Sequence, residues 1–508
     1  MVTVKFGGTS MGSAERIYTA ADIIHERAGK EDVSVIVSAV AGVSNLLQES
    51  ITACTTVGNS TQVSTATVPA EQVPAAVTER VRSIHGKIIA EMEEKLPSFN
   101  IAYVNGRLEP LFAEYERLLN AVAAFGECPV SIHCRIMGMG ELFSAPIMEE
   151  TLRCRGLDIA LVDSRDVIFT VGFQAEGDPD YTKTNAALSP YRASGNAHHR
   201  VLLFPGFICS WEGGTSSTGG TSTAGGVNSA KQMGLLGRNG SDFSAAIIAV
   251  GLGAQRLEIW TDVDGIYTAD PRIVKDAILV DEMSYEEAME LSFFGSKVLH
   301  PKTLIPIAAA GIETWSLNSM NRSARGTRIV SRRNIKEESA SEASHSAPQN
   351  AVQGISCLKN TAMISVSGNG MKGRKGTAAR LFAAVSRGGI SVLLITQSSS
   401  EYTISFCVQE AESDRVIKVL ESEFEFELRE KLINPIEVQK RCAIVSIIGD
   451  GMKAKKGTAA VFFSALASRD INIIAIAQGS SERSISTVIS GEDGDTAVRV
   501  AHRFFFDT

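Results

Sequence analysis

Residues 2–40 read VTVKFGGTSMGSAERIYTAADIIHERAGKEDVSVIVSAV, and the order of patterns in that stretch decides the fold. Val2–Phe6 is a short β-branched run, the residues from Ile17 to Ile24 repeat at helical spacing, and Val33–Val40 is a second apolar run. Strand, helix and strand in that order continue to about residue 330, which predicts an α/β domain with a doubly wound, mainly parallel sheet. Two segments break the rhythm. TACTTVGNSTQVSTATVPAEQVP (52–74) and EGGTSSTGGTSTAGGVNS (212–229) are rich in Ser, Thr and Gly, and are expected to be surface loops. Between them, Val77–Leu96 and Leu108–Ala124 carry helix-period apolar residues and predict a helical hairpin over about 75–125.

Further along, RRNIKEESASEASHSAPQ (332–349) has too little apolar content to pack and reads as a linker. Beyond it the chain repeats itself at an offset of 81 residues. VSGNGMKGRKGTAARLFAAVSRGGISVLLITQSSSEYTISF (366–406) returns as IIGDGMKAKKGTAAVFFSALASRDINIIAIAQGSSERSIST (447–487). Each copy predicts the βαββαβ order of a ferredoxin-like unit. The second copy reaches Thr508 within its last helix, so its final strand is expected to come from elsewhere or to be missing. The expected domains are therefore 1–331, a linker at 332–350, and repeats at 351–437 and 438–508.

A chain of 508 residues with 44% apolar and 21% charged content is a multidomain globular protein. The net charge of −8, with Lys and Arg scattered, excludes a basic surface for nucleic acid. Eight cysteines at 54, 128, 134, 154, 209, 357, 407 and 442 form no C-x-x-C pair and no metal spacing, which reads as reduced, buried thiols and no metal site. Without a signal segment or an apolar stretch of membrane-spanning length, the expected location is the cytoplasm, with no membrane partner.

Five stretches carry chemistry. In KFGGTS (5–10) two adjacent glycines between a strand and a helix expose N–H groups beside Lys5, either as a plain turn or as an anion cradle. GRNGSD (237–242) offers Arg238 to a carboxylate and Asp242 to Mg2+ or a phosphate, or else is an N-cap with a solvated Arg. EIWTDVDGIYTADPR (258–272) is a buried-looking strand ending in an acidic loop, where ligands of open α/β sheets bind, unless it is only an Asp-stabilised turn. FFGSKVLHPKTL (293–304) places Lys297 in a Gly-flanked turn, to reach a phosphate or simply solvent, and His300 before proline, which reads as structural. GMGELFSAPIMEETL (138–152) puts Glu141 at the start of a helix, where acids commonly complement the dipole.

Taken in chain order, with GMGELFSAPIMEETL second, and followed by the paired repeat, these stretches resemble the aspartokinase family over nearly the whole chain. AMELSFFGSKVLHP, LLITQSSSEYTISFCV and IAQGSSERSIS are similar to the kinase part of threonine-sensitive bifunctional aspartokinase/homoserine dehydrogenases. The resemblance implies an amino-acid-kinase-type sheet followed by two ACT domains, and ATP-dependent phosphorylation of the L-aspartate side-chain carboxylate, the first step toward lysine, threonine and methionine. It implies Lys5 and Asp242 as catalytic residues, with ATP and Mg2+ as cofactors. Lys5, Gly7, Gly8, Thr9, Ser10, Thr261, Asp262, Tyr267, Arg272, Lys297 and Val298 would hold ATP. Ser44, Glu141, Arg238, Asn239, Gly240 and Ser241 would hold aspartate, Glu141 facing its ammonium and Arg238 its α-carboxylate. Gln397 and Gln478 fall where relatives bind threonine, which makes threonine a better expected inhibitor than lysine; a homodimer or tetramer through the ACT domains is also implied.

Three departures stand out. The 212–229 insertion is longer than the family pattern, Ser44 stands where many relatives have Thr, and no dehydrogenase domain follows Thr508, so the kinase is either monofunctional or cut from a longer chain. Rival readings are a glutamate, N-acetylglutamate or nucleoside monophosphate kinase of the same fold, and an inactive amino-acid sensor.

Overall fold

A computed structural model describes residues 1–59, 72–192, 200–213, 232–293, 299–331, 351–371, 374–397, 402–453 and 455–507. The described residues fall into two compact units, one within Met1–Ile266 and Val298–Asn334, the other within Tyr267–Lys297 and Ile335–Thr508.

In the first unit the central sheet runs Thr327–Val330, Glu313–Asn318, Arg256–Thr261, Val2–Phe6, Val33–Val37, Val201–Pro205 and Ile159–Leu161. All neighbours are parallel except the pair Glu313–Asn318 and Thr327–Val330. Val2–Phe6 lies centrally, every residue of it and of Val33–Val37 is buried, and helices cover these strands, so the β-branched runs of the sequence are the core of a parallel sheet. A second, four-stranded sheet joins Glu176–Pro179, Phe169–Phe173, Ile208–Trp211 and Gln232–Leu235.

The helical hairpin is present as Val73–Lys95 and Ile101–Phe125, both packed into the same core as Phe143. One expected loop is partly helix. Residues 52–59 continue the helix Val43–Asn59, because the hydroxyls of Thr52, Thr55 and Thr56 bond to carbonyls four residues back and Cys54 is fully buried. Residues 60–71 and 214–231, the remainder of the Ser/Thr/Gly-rich stretches, lie outside the described residues, as does the linker at 332–350.

In the second unit six antiparallel strands run Leu394–Gln397, Thr403–Gln409, Gly354–Ser367, Glu437–Ile448, Ser484–Ser490 and Ala475–Gln478. The two central strands are each shared. Met363–Ser365 pairs with Glu437–Gln439 to complete the first repeat, whereas Gly354–Leu358 pairs with Ile444–Ile448 and packs in the core of the second. The strand the second repeat lacks at its end is thus supplied by residues preceding the first, and 351–358 belong with the second repeat rather than the first. Asn360 and Arg441, 81 residues apart, both adopt φ 56° where each strand crosses from one repeat to the other.

Repeated glycines make room for the incoming segments. A Cβ at Gly368 would meet the Leu432 carbonyl oxygen at 2.4 Å, and a Cβ at Gly449 would meet the Ala351 carbonyl oxygen at 2.2 Å. Residues 267–293, expected with the kinase sheet, also join this unit. Ala269 and Val274 pack in the second repeat's core, Thr268 accepts from Ile355 N, and Glu287 accepts from the Asp450 amide at 2.7 Å. Hydrophobic periodicity marks these residues as buried without saying in which core.

A methyl group at Gly449 has only backbone to displace. Gly449→Ala is expected to lower stability by about 2 kcal/mol or more, with hydrogen exchange rising in Gly354–Leu358 and Ile444–Ile448 while Thr403–Gln409 keeps its protection. Unchanged exchange in both segments would show that the close approach is not needed.

Candidate active site

The carboxyl ends of the central strands and the helix starts beyond them enclose a cleft of about 690 Å3. Lys5, Gly8, Ser44, Glu141, Arg238, Asn239, Gly240, Ser241 and Asp242 all line it. These residues lie up to 237 positions apart (5 to 242): Lys5, Gly8 and Ser44 come from the carboxyl ends of the parallel strands Val2–Phe6 and Val33–Val37 and the segments that follow them, Arg238–Asp242 from the turn between Gln232–Leu235 of the second sheet and its helix, and Glu141 from the helix Val130–Arg153.

Lys5 sits in the central strand with its Nζ 2.5 Å from Asp242 Oδ1, the two side chains only 10% and 9% exposed. Asp242 lies in the first turn of Gly240–Leu252, where an acid is also favoured by the helix dipole. Asn239 precedes that helix with φ 56° and donates to Asp242 Oδ2 at 3.3 Å. Arg238 is exposed and pairs with no acid among the described residues.

Glu141 is in the middle of the helix Val130–Arg153, not at a helix start. What the preceding glycines provide is close approach: a Cβ at Gly140 would meet Ala39 Cβ at 2.7 Å. That approach brings Glu141 Oε1 within 3.2 Å of the Ala39 amide and 3.4 Å of Ser241 Oγ, while Oε2 is buried and unpartnered. Burial pushes the Glu141 carboxyl up to about 8, and the Ala39 amide, the Ser241 hydroxyl and the Lys5 charge recover only part of that cost. A buried acid with an idle oxygen beside a fixed lysine is suited to receive a cationic group from a ligand that also carries an anion.

Gly7, Thr9, Ser10, Thr261 and Asp262 do not line the cleft but flank it. Gly7 donates to the Trp260 carbonyl at 3.2 Å, Thr9 and Ser10 form the short 3-10 turn Gly8–Met11, and Thr261 Oγ1 bonds Asp262 Oδ1 at 3.2 Å. Tyr267 and Arg272 belong to the second unit, where Arg272 is exposed and paired with Asp270. Lys297 and Val298 lie outside the described residues. His300 is the N-cap of Pro301–Ala310, its Nδ1 accepting from the Lys302 amide, the structural role its sequence suggested. Gln397 and Gln478 end equivalent strands of the two repeats, both exposed.

Sequence reading missed Ser38–Gly42, Asn45, Met137 and Phe207 as cleft lining. SAVAG, directly after a buried strand, carried the signal of a loop at the binding edge. Phe207 carried none, although its φ of 66° is uncommon for so bulky a residue. It is held there by its amide donating to Ser244 Oγ at 2.8 Å and its carbonyl accepting from Leu236 N.

The fold is an open α/β sheet with a cleft at the carboxyl ends of its strands, and a model of the amino acid kinase family matches residues 1–316 while an ACT domain model matches 364–424 and 445–505. The chain belongs to the amino acid kinase family, and the proteins it resembles over its whole length are aspartokinases. The bifunctional aspartokinase/homoserine dehydrogenase of Haemophilus influenzae is 39% identical over 507 residues, covering 100% of this chain and 57% of that protein. This chain spans just over half the length of that relative. The structure of E. coli aspartokinase III in complex with aspartate and ADP (R-state) matches with a TM-score of 0.77 at 26% identity, covering all of both chains. The T-state of the same enzyme, in complex with lysine and aspartate, matches at 0.68 with 27% identity, covering 100% of this chain and 99% of that one.

The raised pKa of Glu141 makes the stability of the fold depend on pH. A carboxyl whose folded pKa lies above its unfolded value stabilises the fold fully below the unfolded value, near 4.5, and that contribution is lost as pH rises through about 8. Glu141→Gln removes the loss, so its Tm advantage over the parent should grow by about 3 °C or more between pH 5.5 and pH 8.5 in thermal unfolding scans. A gap that stays constant with pH would mean that Glu141 is ionised in the folded chain throughout.

Proposed function

We propose that the chain is an aspartate kinase, phosphorylating the side-chain carboxylate of L-aspartate from ATP to give 4-phospho-L-aspartate and ADP. The observation that carries this reading is the buried, half-unsatisfied carboxyl of Glu141 sharing one cleft with the buried Lys5 and Asp242 pair and with Arg238, which pairs with no acid among the described residues. A small dicarboxylate amino acid complements that set: its ammonium meets Glu141, its α-carboxylate meets the Arg238 fork, and its side chain is left to face Lys5. Ser44, Asn239, Gly240 and Ser241 supply hydroxyl, amide and backbone donors around it.

The acceptor carboxylate has an ordinary pKa of about 3.9 and is ionised at neutral pH, so no general base is required. One of its oxygens forms a bond to the γ-phosphorus as the bond to the bridging oxygen breaks, and the electron pair leaves with ADP. The barrier comes from bringing an anion to a polyanion, and Lys5, beside the turn at Gly8, supplies the compensating positive potential. Asp242 holds the Lys5 ammonium in place. Among the described residues no group of three acids, histidines or cysteines is set to hold a metal. Mg2+ would therefore arrive with the nucleotide, and the carboxylates of Asp242 and Asp262 are the hard oxygen donors available to it; bound there, it would neutralise phosphate charge.

Thr9, Ser10, Thr261 and Asp262 form the nucleotide side of the site in this reading. Feedback by threonine through Gln397 and Gln478 is the regulatory part of the proposal, supported by the repetition of both glutamines at equivalent strand ends; lysine is the competing effector, as the E. coli relative's complex indicates for that protein. Pairing of ACT units into a dimer or tetramer, and a cytoplasmic location, complete it. No described helix is long and apolar enough to cross a membrane.

Trapping the acyl phosphate with hydroxylamine tests the reaction directly. Aspartate should give hydroxamate and glutamate should not, millimolar threonine should suppress the signal more than lysine does, and Lys5→Ala should lower turnover by about 100-fold or more with Tm still measurable. A folded Lys5→Ala chain of near-normal turnover would remove Lys5 from catalysis, and product from glutamate alone would replace the substrate.

A further inference from the structure

At the carboxyl edge of the central sheet one short side chain ties together two segments that the sequence presents as separate motifs. Ser319 is the first residue beyond the strand Glu313–Asn318 and is 2% exposed. Its amide donates to the Thr261 carbonyl at 2.9 Å, and its hydroxyl lies 3.1 Å from the same oxygen. A carbonyl can only accept, so the single hydroxyl proton of Ser319 is committed there. Ser10 Oγ, 2.8 Å from Ser319 Oγ and 1% exposed, must then be the donor between the two hydroxyls. A directed relay results: Ser10 donates to Ser319, and Ser319 donates to Thr261.

The relay joins the KFGGTS turn at Ser10 to the TDVDG loop at Thr261, next to the other tie between them, Gly7 N to the Trp260 carbonyl. Ser319 is itself held by its neighbours. Asn318 Nδ2 donates to Asp264 Oδ1 at 2.7 Å, Asn321 Nδ2 donates to the same oxygen at 3.0 Å, and Asn318 Oδ1 accepts from Met320 N at 2.8 Å. The turn after the strand is thereby anchored to the TDVDG loop from both sides. Ser319 carries no charge and does not line the cleft, so any part it plays is geometric.

We propose that Ser319 is a positioning residue for the nucleotide, holding the Gly7–Ser10 turn and the Thr261–Ile266 loop in one register so that both meet a single ATP without being ordered on binding. The inference deepens the kinase reading and rests on it. Removing the hydroxyl leaves the buried Ser10 hydroxyl without its acceptor and the Thr261 carbonyl with one donor fewer, which loosens the loop against the turn and costs affinity for whatever spans both.

The test compares the full chain with Ser319→Ala and with Ser319→Thr, which keeps the hydroxyl. ADP binding is measured by calorimetry, and KM for ATP and for aspartate by the hydroxamate assay, with Tm recorded for each chain. Ser319→Ala should weaken ADP binding and raise KM for ATP by about tenfold, KM for aspartate should stay within about twofold of the parent, and Ser319→Thr should restore nucleotide affinity. Unchanged ADP affinity in Ser319→Ala overturns the proposal. So does a parallel loss for ATP and aspartate accompanied by a fall in Tm, which marks a merely structural serine. A parent chain that binds no ADP sinks the kinase reading itself and this inference with it, a result separate from either of the others.

Discussion

A lysine ammonium buried at the end of a central strand is the constraint around which the first unit is arranged. Lys5 and Asp242 are each about nine-tenths hidden, and either without the other would be an isolated buried charge of several kcal/mol cost. Their pairing fixes where the helix Gly240–Leu252 must start relative to the strand Val2–Phe6, and hence requires a turn before that helix tight enough to need Gly237 at φ 76° and Asn239 at φ 56°. Glu141 is then brought in from a third element by the contact of Gly140 with Ala39. Lys5 and Asp242 compensate each other, whereas burial raises the Glu141 carboxyl to about 8 and leaves its Oε2 without a partner, open to a cationic group.

Much of this is legible in the sequence. KFGGTS and GRNGSD announced themselves by glycines beside a lysine and an arginine, and both converge on the cleft. The β-branched runs announced the parallel sheet. Glu141 was singled out for the wrong local reason, because glycines ahead of an acid look like a helix start when they are in fact permitting helix-to-strand contact. Ser319 and Phe207 gave no signal, since a serine after a strand and a phenylalanine after a glycine are ordinary until tertiary partners make them otherwise. The threonines at 52, 55 and 56 suggested a loop, yet their hydroxyls found helical carbonyls.

The second unit shows a different limit. An offset of 81 residues revealed two repeats, but alternation within a strand cannot say which neighbour it will pair with. Gly354–Ser367 serves both repeats in succession, changing allegiance at Asn360, and Glu437–Ile448 does the same at Arg441. Each repeat is therefore completed by the segment leading into the other, and residues 267–293 are packed into the same arrangement through Thr268 and Glu287.

Glu141, whose carboxyl burial raises to about 8, is the group on which the proposed recognition of the ammonium turns. Calorimetric titration of the chain with aspartate at pH 7, repeated in buffers of different ionisation enthalpy, counts the protons exchanged on binding. Binding should release protons in the parent chain and release none in Glu141→Gln. Binding of aspartate with no proton released would contradict that role of Glu141.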